Sequence, residues 1–550
     1  MDWGAQGFWI PGSDGRTISA AWFSALNPAS ASLSAAALVL SGVGNEERSL
    51  AVGLPSIAGA LAESGLQATI TIDFAGNGQA PGDLTDADVV QIWQHEVRDA
   101  ILFLERELHV PIVVIAPRLA AAIAIPVLAD LPVDKLVLWS PVISGRRYKR
   151  ELQVLGNTSR EDGSTTDGGV SVGGFFTSAR DLESIGRLDG RALRARPARQ
   201  VLYMESPDRV IDEEFVASLR AVGCVVSVQR DEDTTAWLFT ANDQAAVPKR
   251  SIGALVDWLT ASMQTGSSLN DVTPALPSTT TIGVRGIDVE ETFTKFGALG
   301  LRGVVAAPAS GPRHSTGVVY ASSVGPGRTF VDAARAGATA GRVSLRFDFA
   351  GFGLSPLRPG QPSTHLYGPD GTLDIGMAVA ALRALGVSRV VVVGYCAGAW
   401  SALSGDVHHG LVGVASINVQ LFARMTSQEE RGLAGRIADL GNNRVTRLML
   451  RVLRGVQNRM RSAFARAPIR WIRHLIEHDV LVALYFDAND PGLEYWNSKL
   501  RRHFVSDQRV EVHTYPGLGH LLDGHVVRRS TYGDVENFVQ QFDGNVEAVR

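Results

Sequence analysis

One phrase of this chain occurs twice. Asp73-Phe74-Ala75-Gly76-Asn77-Gly78 returns 275 residues later as Asp348-Phe349-Ala350-Gly351-Phe352-Gly353. The order of elements around each copy repeats as well. A β-rich run (36–40; 317–321) leads through a Ser/Gly turn and a helix to a strand (68–72; 343–347), the repeated turn, a second helix and another apolar strand (112–115; 390–393). Strands that alternate with helices and Gly-rich turns read as βαβ units building a parallel sheet covered on both faces. The expected fold class is therefore α/β, two doubly wound, mostly parallel sheets in tandem, and 550 residues leave room for both. Gln264-Thr265-Gly266-Ser267-Ser268 and the stretch 274–281 are polar and aperiodic, as a connection is. The expected division is a first domain over 1–264, a linker over 265–280 and a second domain over 281–550.

Composition narrows the function classes. A net charge of −4 gives no general basic field of the kind nucleic acid attracts. Two cysteines, Cys224 and Cys396, are too few for a disulfide framework or a Cys-rich zinc site, so a reducing cytoplasm is the expected compartment. The start Met1-Asp2-Trp3-Gly4 lacks a basic, then apolar, export signal, and the apolar run 33–40 falls far below the roughly 20 residues that span a bilayer. No cofactor is expected.

The chemistry concentrates after the strand Val390-Val391-Val392-Val393, at Gly394-Tyr395-Cys396-Ala397-Gly398. This is the spacing of G-x-S-x-G with cysteine in place of serine. The nucleophile of such a motif sits on a strained strand-to-helix turn, and only small residues two before and two after allow the backbones to approach. A helix N-terminus also favours thiolate over thiol.

This context resembles the α/β-hydrolase family, whose nucleophile, acid and histidine follow in that chain order. The resemblance implies an acid at Asp490, in the turn after the strand beginning at Leu481, with Asp487 as the runner-up. It implies a histidine at His520, in Gly517-Leu518-Gly519-His520. His520 takes the thiol proton or stands as imidazolium beside the thiolate, and Asp490 fixes its tautomer. An oxyanion hole needs two backbone donors: Ala397 is expected to give one, and Ser323 or Val324, at a strand exit, the other. The segment from Arg346 to Gly353, with Ser355, resembles a turn that is structural in most members.

The first half lacks this chemistry. Its elbow reads Ala116-Pro117-Arg118-Leu119-Ala120, and a guanidinium that stays protonated is no acyl nucleophile. Its histidines, His95 and His109, both precede the elbow, while ten of the twelve belong to the second half. Asp208 resembles a leftover acid turn. The first domain is expected to be a non-catalytic partner, with Arg118 either structural or presenting charge to an anionic substrate group. In more detail, residues 136–151 resemble the second type, and 318–420 the first type, of the exosortase A system-associated hydrolases, which tend to carry Arg and Cys at their respective elbows. That resemblance implies a fusion of the two and no particular reaction.

A cap is expected over residues 423–478. It carries twelve arginines against four acidic residues, a net +8 in an acidic chain. Capping-box patterns at Thr426 and Ser427 and an apolar stripe from Val445 to Phe464 predict amphipathic helix. Its basic face is a solvated surface, a contact with the first domain or a dock for an anionic partner such as acyl carrier protein or CoA, with an anionic membrane the least favoured. A Cys-His-Asp set in triad order points to a thioester acyl-enzyme, and thence to acyl transfer or thioester hydrolysis. The alternatives are a plain esterase, lactonase or peptidase, and a non-catalytic scaffold in which Cys396 is only a small elbow residue.

Overall fold

The computed structural model of the chain describes residues 4–25, 32–82, 88–158, 168–239, 246–261, 265–266, 274–322, 328, 330–360, 367–421, 466–520, 522 and 524–543. The first sheet is built from β1 (Gly4–Pro11), β2 (Thr17–Ser24), β3 (Ser32–Leu40), β4 (Leu66–Asp73), β5 (Ile112–Pro117) and β6 (Val133–Trp139). A hairpin of β7 (Val170–Val172) and β8 (Phe175–Thr177) stands apart, and β9 (Ala198–Glu205), β10 (Val225–Arg230) and β11 (Thr265–Gly266) complete the sheet. The second sheet comprises β12 (Thr279–Val284), β13 (Ile287–Phe296), β14 (Leu301–Pro308), β15 (Thr316–Ser322), β16 (Ser344–Phe347), β17 (Arg389–Tyr395), β18 (Leu411–Ile417), β19 (Leu481–Asp487) and β20 (Val510–Tyr515). Thr265 and Gly266, expected in the linker, pair antiparallel with the start of β3, and β12 begins two residues before the expected second domain.

The spatial orders are β1-β2-β4-β3-β5-β6-β9-β10 and β12-β13-β14-β16-β15-β17-β18-β19-β20. Seven consecutive strands, starting at β2 and at β14, therefore follow one plan. In each sheet the chain runs from one strand to a neighbour on one side (β3 to β4; β15 to β16) and then returns to the other side (β5; β17), with all these pairs parallel. This is the strand order of the α/β-hydrolase fold, and its crevice opens at the carboxyl ends of the strands where the order reverses. β5 and β17, which lead to the two elbows, flank that switch point.

Both faces of each sheet are covered, and the strand period decides what goes where. Val390 and Val392 join one core with Leu382, Leu403 and Val414, while Val391 and Val393 join the opposite core with Ala334, Ala483 and Phe538. All four valines are at most 1% exposed, as the continuous apolar run of a central parallel strand requires. Among the described residues no helix is long and apolar enough to cross a membrane.

The halves meet through their edge hairpins and their repeated turns. Trp9 donates its backbone N–H to Pro277 O and its indole N–H to Ser278 O, and its ring lies 4.8 Å from that of Phe293. Gly7 sits against the Phe293 ring so closely that a Cβ there would fall 2.2 Å from it. Three arginines of the second half reach the first half's turn. Arg328 donates to Ala80 O and Gly82 O, Arg335 to Gln79 O and Ala80 O, and Arg346 to the Gln79 side chain. Glu291, fully buried, holds two of them, at 2.8 Å from Arg335 and 2.7 Å from Arg346. Burial raises the Glu291 carboxyl, and the two guanidinium groups more than reverse this, holding it below the usual range. The Asp348 carboxyl is pushed up to about 6 by burial, with a further push from the facing Asp73, against a hydrogen bond from the Leu354 N–H.

Removing one partner of a buried ion pair leaves an uncompensated charge. Arg335→Ala, which also abandons two carbonyls of the first half, is expected to destabilise the chain by about 3 kcal/mol, read as a lower midpoint in urea unfolding. A change within 0.5 kcal/mol would mean that the cluster carries no net stability.

Candidate active site

Cys396 stands between β17 and the helix Ala397–Ser404 with φ 52° and ψ −114°. A side-chain-bearing residue adopts positive φ only where its surroundings enforce it. Here the enforcement is close backbone approach. A Cβ on Gly394 would fall 2.5 Å from Ala399 Cα, and one on Gly398 would fall 2.1 Å from Ala321 O. The motif's glycines are thus required by space, and the thiol is presented at the switch-point end of the sheet.

The other two expected residues converge on it. His520 Nε2 lies 3.5 Å from Cys396 Sγ, and His520 Nδ1 lies 2.5 Å from Asp490 Oδ2. The second oxygen of Asp490 accepts from Gly492 N–H at 2.6 Å, which caps the helix Pro491–Tyr495 and fixes the carboxylate. Asp490 is 3% exposed and Cys396 6%. Burial disfavours the charged imidazole. The hydrogen bonds and charges of Asp490 and Cys396 outweigh that effect and raise the His520 pKa to about 10. Imidazolium is therefore the favoured form through neutral pH, and it is lost as pH rises through about 10. Ala397 is at the first position of its helix, where amides have no intrahelical acceptor. Ser323 and Val324 lie outside the described residues, as does the expected cap up to residue 465.

Asp487, the runner-up, serves the loop instead of the ring. Its Oδ2 accepts from Gly519 N–H and its Oδ1 from Asn489 N–H. Sequence reasoning missed Asn418, which follows β18 at φ 47°. Asn418 Nδ2 donates to Gly519 O at 2.8 Å and to His520 O at 3.1 Å, while its Oδ1 accepts from Asp487 N–H. Tyr395 OH donates to His520 O as well. Two further residues touching the site were missed. Tyr367 OH lies 3.6 Å from Cys396 Sγ, and Gln420 Nε2 lies 3.2 Å from His520 Nε2. Neither sits in a motif: Gln420 follows the end of β18, and Tyr367 lies just before the helix Pro369–Ala384.

The first half retains the geometry of an elbow with different contents. Arg118 adopts φ 49° and ψ −124°, within 10° of Cys396 in both angles, and Ser140 at φ 45° stands where the second half has Asn418. Glu46 answers the charge: its Oε1 accepts from Arg118 Nε at 3.1 Å and its Oε2 accepts from the Leu119 N–H at 3.2 Å. Leu119 is the residue after the elbow, so its amide is the counterpart of Ala397. Burial pushes the Glu46 carboxyl up, and Arg118 works against that rise. The Arg118 side chain is 7% exposed and already paired, so presentation of its charge to an anionic substrate group, one of the two expectations for it, does not fit. Cys224 is buried, and burial raises its thiol pKa, as suits a core residue. Among the described residues no cluster of His, Cys, Asp and Glu is arranged to hold a metal ion.

No protein-family model matches the chain, and no curated protein does. Solved structures do. An esterase domain from a Rhodothermus marinus protein is 18% identical over 47% of this chain and 98% of its own, with a TM-score of 0.32. A serine hydrolase without a lid from Xanthomonas campestris is 13% identical over 48% and 97%, with a TM-score of 0.31. Est1E from Butyrivibrio proteoclasticus is 13% identical over 46% and 98%, with a TM-score of 0.34.

With His520 Nε2 3.5 Å from its sulfur, Cys396 is expected to alkylate well ahead of the buried Cys224. With iodoacetamide at pH 7 the expected ratio is on the order of tenfold or more, read by peptide mass spectrometry. His520→Ala is expected to erase it. Equal, slow rates at the two cysteines in the unaltered chain would rule out an activated thiol.

Proposed function

We propose that this chain is a cysteine-nucleophile acyl-transfer enzyme that works through Cys396, His520 and Asp490. The observation that carries the reading is the single line Sγ to Nε2 at 3.5 Å and Nδ1 to Oδ2 at 2.5 Å, set on a positive-φ elbow. In this reading the Cys396 thiolate attacks the carbonyl carbon of a thioester or ester. The carbonyl π electrons move to oxygen, and the oxyanion is met by the Ala397 N–H and by a second donor at Ser323 or Val324. Collapse breaks the bond to the leaving group, which takes the proton from His520 Nε2, and leaves a thioester on Sγ. An acceptor then gives its proton to Nε2, attacks the same carbon and expels the Cys396 thiolate. Asp490 holds Nδ1–H throughout, so that Nε2 is the atom that exchanges protons.

Thioesters react more readily with amines than with water, which tilts the reading from hydrolysis towards transfer. The net +8 of residues 423–478 suits an anionic donor such as an acyl carrier protein or CoA thioester. The first domain, with Arg118 sealed against Glu46, is the non-catalytic partner, and the chain as a whole is read as a fusion of the two exosortase A system-associated hydrolase types. Its two units are the expected 1–264 and 281–550, extended at the junction by β11 on the first and the start of β12 on the second, and a reducing cytoplasm keeps the thiol available.

Incubation with an acyl-CoA or an acyl carrier protein thioester, followed by intact-mass measurement, tests the reading. The unaltered chain is expected to gain one acyl mass and Cys396→Ala none. His520→Ala is expected to slow acylation by a factor on the order of 10² to 10⁴. No adduct from thioester or ester donors would overturn the proposal in favour of a scaffold.

A further inference from the structure

Acylation changes what His520 faces. Before it, Nε2 stands 3.5 Å from a sulfur with which it can exchange a proton; after it, that sulfur is a thioester with no proton to exchange, and Nε2 becomes a plain acceptor. A group able to donate to this acceptor is already in place. Gln420 Nε2 is 3.2 Å from His520 Nε2, and the amide cannot turn freely because Tyr367 OH donates to Gln420 Oε1 at 3.2 Å. Tyr367 OH is also 3.6 Å from Sγ, so the four side chains close a ring around the reacting atoms. The Tyr367 ring is braced in turn: it packs edge-on against Trp400 at 5.8 Å, and Trp400 packs edge-on against Trp471 of the helix Arg466–Glu477 at 5.2 Å.

A water that hydrolyses the acyl-enzyme must hydrogen-bond to His520 Nε2 while it approaches the carbonyl carbon. That is the position the Gln420 amide holds. Resting on the acyl-transfer reading above, we infer that Gln420, oriented by Tyr367, is a positioning residue that shields Nε2 from water in the acyl-enzyme and so sets the partition between transfer and hydrolysis. Water brings nothing to the contest except one hydrogen bond. An amine or hydroxyl acceptor of larger size brings its own binding contacts, displaces the amide from Nε2, gives up its proton there and attacks the thioester. The C–S bond breaks, the electron pair returns to Cys396 Sγ, and the acyl group leaves on the acceptor. The acceptor class is thus a nucleophile carried on a molecule with a bound body, not a free small species.

The partition ratio tests this without depending on the speed of acylation. The protein is charged from S-acetyl-N-acetylcysteamine, freed of donor and given a fixed concentration of hydroxylamine, which cleaves a thioester without a base at Nε2 and so counts the acyl-enzyme that water has not taken; free acetate is measured against acetohydroxamate. Gln420→Ala, Gln420→Leu and Tyr367→Phe are each expected to raise the hydrolytic share about fivefold, the effect of one lost hydrogen bond. Tyr367→Phe deletes a single hydroxyl and carries the test if the Gln420 variants do not fold. Variants that charge normally and keep the ratio within twofold of the unaltered chain overturn the shielding role alone. An unaltered chain that never charges at Cys396 overturns the acyl-transfer reading beneath it.

Discussion

The structure hangs on a backbone constraint that occurs twice: one side-chain-bearing residue forced into positive φ between a central parallel strand and the helix that follows it. Such a conformation costs on the order of 1 kcal/mol or more and persists only where surrounding packing enforces it. In the second half the enforcement comes from glycines at positions 394 and 398, pressed against Ala399 and Ala321. In the first half Ala116 and Ala120 stand at those positions and Arg118 still holds the same angles. The conformation is therefore a property of the sheet and its switch point, independent of the side chain displayed there.

What differs between the halves is electrostatic. An elbow aims an orphan amide outward, and a buried amide must find an acceptor. In the second half that amide belongs to Ala397 and borders a thiol. In the first half the Leu119 amide is satisfied by Glu46, whose charge is balanced by Arg118. The pair is self-consistent, because either charge alone would be costly at such burial. Arginine at this position neutralises a carboxylate supplied by its own domain.

Much of this was legible in the residues, for reasons that can be stated. The two sheets follow from the repeated turn and from apolar runs such as 390–393, whose period and length admit few other packings. Cys396, Asp490 and His520 were legible because each lies at a strand end with a local signature: flanking glycines, an Asp-Pro turn, a Gly-x-Gly-His turn. Asn418, Tyr367 and Gln420 had no such signature, since a polar residue after a strand or ahead of a helix has many uses and only the folded chain decides what it meets. The choice between Asp487 and Asp490 turned on three residues of register, which sets whether a carboxylate reaches a ring nitrogen or a backbone amide. The partner of Arg118 was invisible for the same reason: Glu46 is 72 residues away in sequence.

The contacts that the turn of the first half makes with Arg328, Arg335 and Arg346 bear on how freely the first half can change. The elbow of the first half displays Arg118 and not a thiol, which by itself would leave the residues around it free to vary. Residues 79–82 are not free in that sense. Their carbonyls and the Gln79 amide serve as ligands for three guanidinium groups, two of which the second half pairs with one buried carboxylate. The first half is thereby answerable to the second half's electrostatics, and a change in its backbone path would register first in a half whose own sequence had not altered.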